Sequence, residues 1–215
     1  MPSDYEVHLP SDVESKMFAE ITRELKTMKW PTQNPHKQKT RRNILMEGVE
    51  NINAFALGKV RRYDLPYQLV DSQYNERYKD LLKKLKLLMK THDPDFKYNS
   101  IQLNSNVITK PHYDRNNVGR SYCLALGTFE GGGLSLYEGE GDAPKEVVRN
   151  KRKWVLYDGK NTKHGSAPVT SGTRFAIIFY KLIPTSSKSR TSPRRVEKRS
   201  GRKGHTRGCS PSPCR

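Results

Sequence analysis

Cysteine is scarce in this chain: three among 215 residues, at Cys123, Cys209 and Cys214. That number excludes the disulfide framework that staples small secreted domains. His205, Cys209 and Cys214 lack a CxxC pair and a fourth ligand, so incidental cysteines in a solvated tail are the simpler reading than zinc. Long apolar runs are missing too, which excludes a signal peptide and a membrane span. Acidic residues are the third deficit. Twenty-two Asp and Glu stand against 40 Lys and Arg, a net charge of +18 that favours polyanions such as nucleic acid or an acidic surface as partners. The expectation is a soluble intracellular monomer, nuclear if the cell has a nucleus.

Half of the excess charge sits on residues 184–215, where ten Lys or Arg meet one Glu. This stretch, "PTSSKSRTSPRRVEKRSGRKGHTRGCSPSPCR", has almost nothing apolar to offset its ordering entropy, so a disordered basic C-terminal tail is expected. "SPRRVEKRSGRK" within it reads as a nuclear localisation signal or nucleic-acid tether, against the simpler reading of a solvated linker. What precedes the tail suits one domain of ordinary size, and no internal repeat is visible.

Helices come first. Ser11 with Glu14 three residues on reads as a capping box, and Val13, Met17, Ile21, Leu25 and Met28 follow at helical spacing until Trp30 and Pro31 stop the run. Residues 32–43 read as a basic loop, and "NAFALGKV" is too short to assign. A second amphipathic helix carries Tyr74, Tyr78, Leu81, Leu82, Leu85, Leu88 and Met89 on one stripe, with lysines on its wet face. His8, His36, His92 and His205 fall in helix starts, a basic loop and the tail, where exposure is expected.

From Phe96 the period changes to two. Ile101 and Leu103 point one way; Ser100, Gln102, Asn104 and Asn106 point the other. Short β-rich runs follow: "SYCLALG", "GLSLYE", "KEVVR", "KWVLYD" and "TRFAIIFYKLI". Helices followed by closely spaced strands imply a sheet sandwich or barrel braced by helices. In such a barrel the polar face of residues 98–106 can line a cavity. "TRFAIIFYKLI" is apolar on both faces and therefore buried on both, with Arg174 heading the Ala176, Ile178 and Tyr180 series. An arginine so placed points into an enclosed space and needs an anion there.

Extended backbone sends i and i+2 to one side, so His112 and Asp114 of "TKPHYDRNN" can reach one ion while Tyr113 faces away. The HxD pair alone is a weak signal. His164, 50 residues beyond Asp114 in "DGKNTKHGSAPV", would complete a two-histidine, one-carboxylate face of the kind found in non-haem Fe(II) oxygenases. Arg174 lies ten residues further on, placed to meet the far carboxylate of a metal-chelating 2-oxo acid.

With these residues in hand, the stretch from Tyr98 to Leu182 resembles the Fe(II)- and 2-oxoglutarate-dependent dioxygenases. The carriers are "PHYD", "FEGGGLSLYE", "WVLYDGKNTKHGSAPV" and "SGTRFAIIFY". Within that superfamily "HYDRNN" through "GRSYCLAL", and "TRFAIIFYK", look most like the TET/JBP branch, which oxidises the 5-methyl group of pyrimidines in DNA. The resemblance implies an α+β, mainly β architecture: 1–95 an N-terminal helical support region, 96–183 a double-stranded β-helix (jelly roll) catalytic core, 184–215 the tail. It implies His112, Asp114 and His164 as catalytic metal ligands for Fe(II), with Arg174 pairing with 2-oxoglutarate and dioxygen as the second co-substrate. The residue two after the arginine is often Ser in the superfamily. Here it is Ala176, so the missing hydrogen bond to 2-oxoglutarate falls to Tyr122 or the amide of Asn104. Asn117 is the candidate substrate contact.

Nucleic acid is the expected polymer, because "HKQKTRR" and "KVRR" could track phosphates while an extruded base enters the barrel mouth. The alternative is a prolyl or other protein side-chain hydroxylase, for which the "EGGGLSLYE" hairpin speaks. A third reading is a non-catalytic basic nucleic-acid-binding module.

Overall fold

The structure is a computed structural model that describes residues 5–184 apart from 34–43, 47, 48, 50, 62–67, 140 and 142. The expected disorder of the tail, its zinc-like residues and "HKQKTRR" lie outside the described residues.

Element order is β1 (Tyr5–His8), α1 (Asp12–Thr27), β2 (Thr32–Gln33), β3 (Ile52–Arg61), β4 (Leu69–Asp71) and α2 (Lys79–His92). Then come β5 (Ser100–Ser105), β6 (Ser121–Gly131), β7 (Leu134–Leu136), β8 (Glu146–Val148), β9 (Trp154–Tyr157), β10 (His164–Ser166) and β11 (Val169–Tyr180). An eight-stranded sheet runs β1-β9-β6-β11-β5-β3-β2 with β4 added beside β3, and a three-stranded sheet runs β10-β7-β8. Each pairing between these strands is antiparallel. The molecule is therefore mostly β with two helices, as the strand-rich runs after residue 96 imply.

The first 95 residues do more than brace that sheet. "NAFALGKV", too short to assign from sequence, lies in β3, which pairs with β5, and β1 closes the far edge on β9. β3 reads ambiguously because both of its faces are apolar, Phe55 and Leu57 in the helix-side core and Ala54 and Ala56 on the other side.

Two packed layers follow from the alternation. Phe18, Ile21 and Leu25 of α1 and Leu81, Leu85, Leu88 and Met89 of α2 form one core with Phe55, Leu103, Leu124 and Ile177 from the helix-facing side of the large sheet. The opposite side of that sheet packs on the small one through Cys123, Val155, Tyr157, Leu134, Leu136 and Val148. The buried stripe of α1 is Glu14, Phe18, Ile21 and Leu25, while Val13, expected on it, is 59 % exposed. Steps of four residues advance 400°, so a run of them drifts around the helix, and the mixed 4-3-4 spacing is the one that stays on a face.

Glu14 shows what the capping box does beyond starting a helix. Its Oε2 accepts from the Ser11 backbone N–H and hydroxyl, both at 2.8 Å, while Oε1 accepts from Trp154 Nε1 at 2.7 Å and lies 2.9 Å from His92 Nδ1. One buried carboxylate thus ties α1, the end of α2 and β9 together. His92, expected to be exposed, has a side chain only 7 % exposed and stacks on Trp154 at 4.4 Å between ring centroids. Its Nε2 is buried without a hydrogen-bond partner. A bare lone pair there costs less than an unpaired N–H, so the neutral ring, donating from Nδ1 to Glu14, is the fitting state.

Burial pushes the His92 pKa below its usual value of 6.5, against the pull of Glu14. Glu14 itself sits below 4.5: burial alone would raise its pKa, but the Ser11 and Trp154 hydrogen bonds and nearby His92 outweigh that. Both groups bind protons less readily folded than unfolded, so stability falls as pH drops, first below about pH 6.5 through His92 and then through the carboxylate range. Replacing Glu14 by Ala strands the Trp154 Nε1–H and His92 Nδ1–H donors and is expected to cost about 1–3 kcal/mol for each in urea unfolding at pH 7. The H92F variant should remove the part of the pH dependence above pH 5 in the same measurement.

Candidate functional site

His112 and His164 face each other across an isolated antiparallel bridge. The His112 N–H donates to the His164 carbonyl at 2.8 Å and the His164 N–H returns the bond at 2.9 Å. Directly opposed residues in such a pair share a face, and the ring centroids are 4.5 Å apart. Asp114 joins them by the period-two rule, its backbone N–H anchored on the Gly159 carbonyl at 2.7 Å. Ligand atoms of the three side chains all lie within 4.8 Å of one another.

The protons on the rings follow from their partners. His112 Nδ1 is 2.7 Å from the Lys110 carbonyl and His164 Nδ1 is 2.9 Å from the Thr162 carbonyl. A carbonyl only accepts, so Nδ1 carries the hydrogen on both rings and each Nε2 presents a lone pair. Those Nε2 atoms point at the carboxylate, 3.6 Å from Oδ1 for His112 and 3.5 Å from Oδ2 for His164. Lone pairs facing a carboxylate repel unless a cation lies among them. Two imidazole nitrogens and one carboxylate gathered in this way are the donor set that suits a ferrous ion. The three residues fit Fe(II).

Arg174 enters the same cavity, a cleft of about 1270 Å³ lined also by His112, Asp114 and His164. The guanidinium belongs to a residue 3 % exposed. Nη2 donates to Val107 O at 2.9 Å and Nη1 to Ala167 O at 3.2 Å and Gly133 O at 3.4 Å, whereas Nε is buried without a partner. Among the described residues no carboxylate pairs with it. Burial lowers its pKa from the usual value. A buried cation met only by carbonyls is several kcal/mol short of compensation, which a carboxylate from a bound diacid would supply. The glycine hairpin makes room for it. Gly132 has φ +69°, and a Cβ there would come 3.2 Å from Nη1 and 3.3 Å from Cδ of Arg174.

The strand faces follow the sequence reading. Arg174, Ala176, Ile178 and Tyr180 line the cavity with Gln102 and Asn104, while Phe175, Ile177 and Phe179 face the helices. Asn104 accepts from Gln102 Nε2 at 3.0 Å. Tyr122 is a correction. Its neighbours on β6, Cys123 and Ala125, line the cavity, whereas Tyr122 packs in the helix-side core with its hydroxyl 3.2 Å from Asp93 Oδ2. Period two places it on the wrong face, and burial beside Asp93 pushes its pKa up to about 12. Asn117 lines the same cavity; it is 7 % exposed, and its Nδ2 donates to Asp114 Oδ2 at 3.2 Å. This geometry makes it a support for the carboxylate.

Three contributors were not singled out from sequence. Asn106, read only as part of the polar face of residues 98–106, accepts the Arg174 backbone N–H at 2.7 Å and donates to Gly172 O, which fixes where the arginine leaves its strand. Tyr157 lies under His164, ring centroids 5.1 Å apart, and burial raises its pKa well above the usual value, helped by the Asp114 charge. Gly159 approaches the ligands themselves. A Cβ there would sit 3.0 Å from Tyr157 Cε2, 3.1 Å from His164 Cε1 and 3.2 Å from Asp114 Oδ2. The dipeptide "DG" signals only a turn, so nothing local announces this role.

The helix-braced pair of antiparallel sheets carrying this site is a fold shared with 2-oxoglutarate, Fe(II) oxygenases. No protein-family model matches the sequence and no curated protein is similar to it in sequence. Among solved structures, the chain is similar to NgTET1 in complex with 5mC DNA, with TM-score 0.51 and 15 % identity over 83 % of this chain and 72 % of that one. It is similar to an oxidoreductase of the 2OG-Fe(II) oxygenase family from Burkholderia pseudomallei, with TM-score 0.52 and 14 % identity over 84 % and 88 %. A prolyl hydroxylase from Trichoplax adhaerens, in complex with a hypoxia inducible factor oxygen degradation domain peptide fragment, follows at TM-score 0.50 and 11 % identity over 84 % of each chain. At such identities the likeness is one of fold. The likeness of fold and the His112, Asp114 and His164 cluster are consistent with a dioxygenase.

Gly159→Ala should weaken Co(II) or Fe(II) binding about 10–100-fold in a calorimetric titration while leaving the melting temperature nearly unchanged. Wild-type affinity in that variant would show that Gly159 does not set the spacing of the ligands.

Proposed function

We propose that this protein is an Fe(II)- and 2-oxoglutarate-dependent dioxygenase that hydroxylates a C–H bond, with a 5-methylpyrimidine in nucleic acid as its substrate. The carrying observation is that His112, Asp114 and His164 and the carboxylate-free Arg174 line one cavity. In this reading the two sheets are those of a double-stranded β-helix.

When bound, ferrous iron and 2-oxoglutarate supply dioxygen activation, one oxygen atom going to the substrate and the other to succinate as carbon dioxide leaves. The chain does the holding. Lys110 and Thr162 carbonyls keep Nδ1–H on both rings so that each Nε2 is free to ligate, and Asn117 steadies Asp114. Arg174 takes the far carboxylate of 2-oxoglutarate and so sets which end faces the metal ligands. Apolar contacts between the sheets, with Val155 and Leu136 fully or nearly buried, exclude water from the floor of the cavity.

The polymer assignment rests on charge and on the cavity mouth. Arg61, Arg115 and Asn116 are among the residues lining the cavity, with Arg61 bonded to Asn116, and Tyr113, 43 % exposed, lines it too. Guanidinium groups can track phosphates and an exposed tyrosine ring can stack on a base drawn out of its helix. The likeness of fold to NgTET1, described with 5mC DNA, points the same way. Residues 185–215 would add a tether, and nuclear residence would follow from the same basic run. The alternative, a prolyl or other side-chain hydroxylase, is favoured by the "GGG" hairpin packed against Arg174 and by the fold shared with the Trichoplax adhaerens enzyme.

Purified protein given Fe(II), ascorbate and 2-oxoglutarate is expected to release succinate, and more of it with methylated DNA or RNA than with Pro-rich peptides. Mass spectrometry should find an added oxygen on the favoured polymer. Stimulation by peptide alone would replace the nucleic-acid reading with the protein hydroxylase. Absence of turnover with every polymer would leave a non-catalytic binding module. Arg174→Met should cut 2-oxoglutarate-dependent turnover by about two orders of magnitude or more, since the carboxylate then meets no cation.

A further inference from the structure

Position 176 itself brings no hydroxyl to the cavity beside Arg174. Across the ladder its partners are Ala125 on β6 and Asn104 on β5, and Tyr122 faces the helices. Two alanines beside Arg174 make space and offer no donor. The next cavity-facing residue along β6 is Cys123, whose thiol accepts from Asn150 Nδ2 at 3.2 Å. Asn150 is 3 % exposed, lines the same cavity, and is held against β6 by its carbonyl, which accepts the Ala125 N–H at 3.2 Å.

Sulfur is a weak acceptor, so this buried primary amide is poorly satisfied by the protein alone. Burial pushes the Cys123 thiol up to about 11, against the charge of Arg174, so the group stays neutral and brings no anion to the guanidinium. A carboxylate arriving between Arg174 and Asn150 would improve both partnerships. The amide would exchange a thiol for a charged acceptor, and the Cys123 S–H could donate to the same carboxylate.

Building on the dioxygenase reading above, we propose that Asn150, with Cys123 beside it, is a binding residue for the distal carboxylate of 2-oxoglutarate, in place of the hydroxyl that Ala176 lacks. The pair would make the site selective for a diacid over a 2-oxo acid with a single carboxylate.

The experiment titrates Mn(II)-loaded protein calorimetrically with 2-oxoglutarate and with 2-oxopentanoate, which has the same chain length and no second carboxylate. Asn150→Asp sets a like charge against that carboxylate and is expected to weaken 2-oxoglutarate about 30-fold or more while leaving 2-oxopentanoate within about twofold. Cys123→Ser, a smaller change to the core, should tighten 2-oxoglutarate about threefold by supplying a hydroxyl, again without effect on 2-oxopentanoate. Loss of Asn150→Asp to misfolding, seen in its melting curve, leaves the serine variant to decide. Variants that move both acids alike, or neither, overturn the role of Asn150 while leaving the function standing. Wild-type protein that binds neither acid overturns the dioxygenase reading and this inference with it.

Discussion

The Arg174 guanidinium carries its charge into the space between two sheets, where three backbone carbonyls meet it and Nε has no partner. Much of the surrounding structure exists to permit that placement. Three consecutive glycines with positive φ turn the β6–β7 connection away from it, and Asn106, itself at φ 50°, pins the strand where the arginine departs. A hydrophobic residue would hold these sheets together with less desolvation cost, so the arginine is a feature of the site, tolerated by the fold.

The opposite wall of the cavity is organised by backbone. The bridge between His112 and His164 joins a loop to a short strand of the small sheet, and one further carbonyl chooses the tautomer of each ring. Asp114 is set by one backbone bond to Gly159 and one side-chain bond from Asn117. A metal site made this way is rigid before any ion arrives, because each ligand is restrained at both the main chain and the side chain. The helix side of the large sheet supplies the stiffness. Glu14 links both helices to β9, and its buried hydrogen bonds make that layer sensitive to acid and distant from the chemistry.

Legibility in the sequence followed the range of the interactions. The faces of β11 and β5, the two helices, the HxD pair, His164 and Arg174 could be read, because each depends on a period or on spacing along the chain. Tyr122 was misplaced by one residue, and one residue in a strand is the whole difference between cavity and core. His92 was expected to be exposed, and the convergence of Glu14, Trp154 and Tyr122 buries it. Asn117, read as a substrate contact, lines the cavity, and the turn after Asp114 also brings its amide onto the carboxylate. Gly159 and Asn150 carry no local signal, since what matters about them is the group that lies within a few ångströms from another part of the chain.

By itself the sequence determined the alternation of strand faces, the start of the first helix, the basic charge and the types of residue available as ligands, since these follow from nearest neighbours and composition. Tertiary structure alone decided which of those groups meet. The antiparallel bridge between residues 112 and 164, and the burial of Arg174 with no carboxylate beside it among the described residues, arise between segments tens of residues apart. Such contacts depend on register and packing across sheets, and no local pattern encodes them.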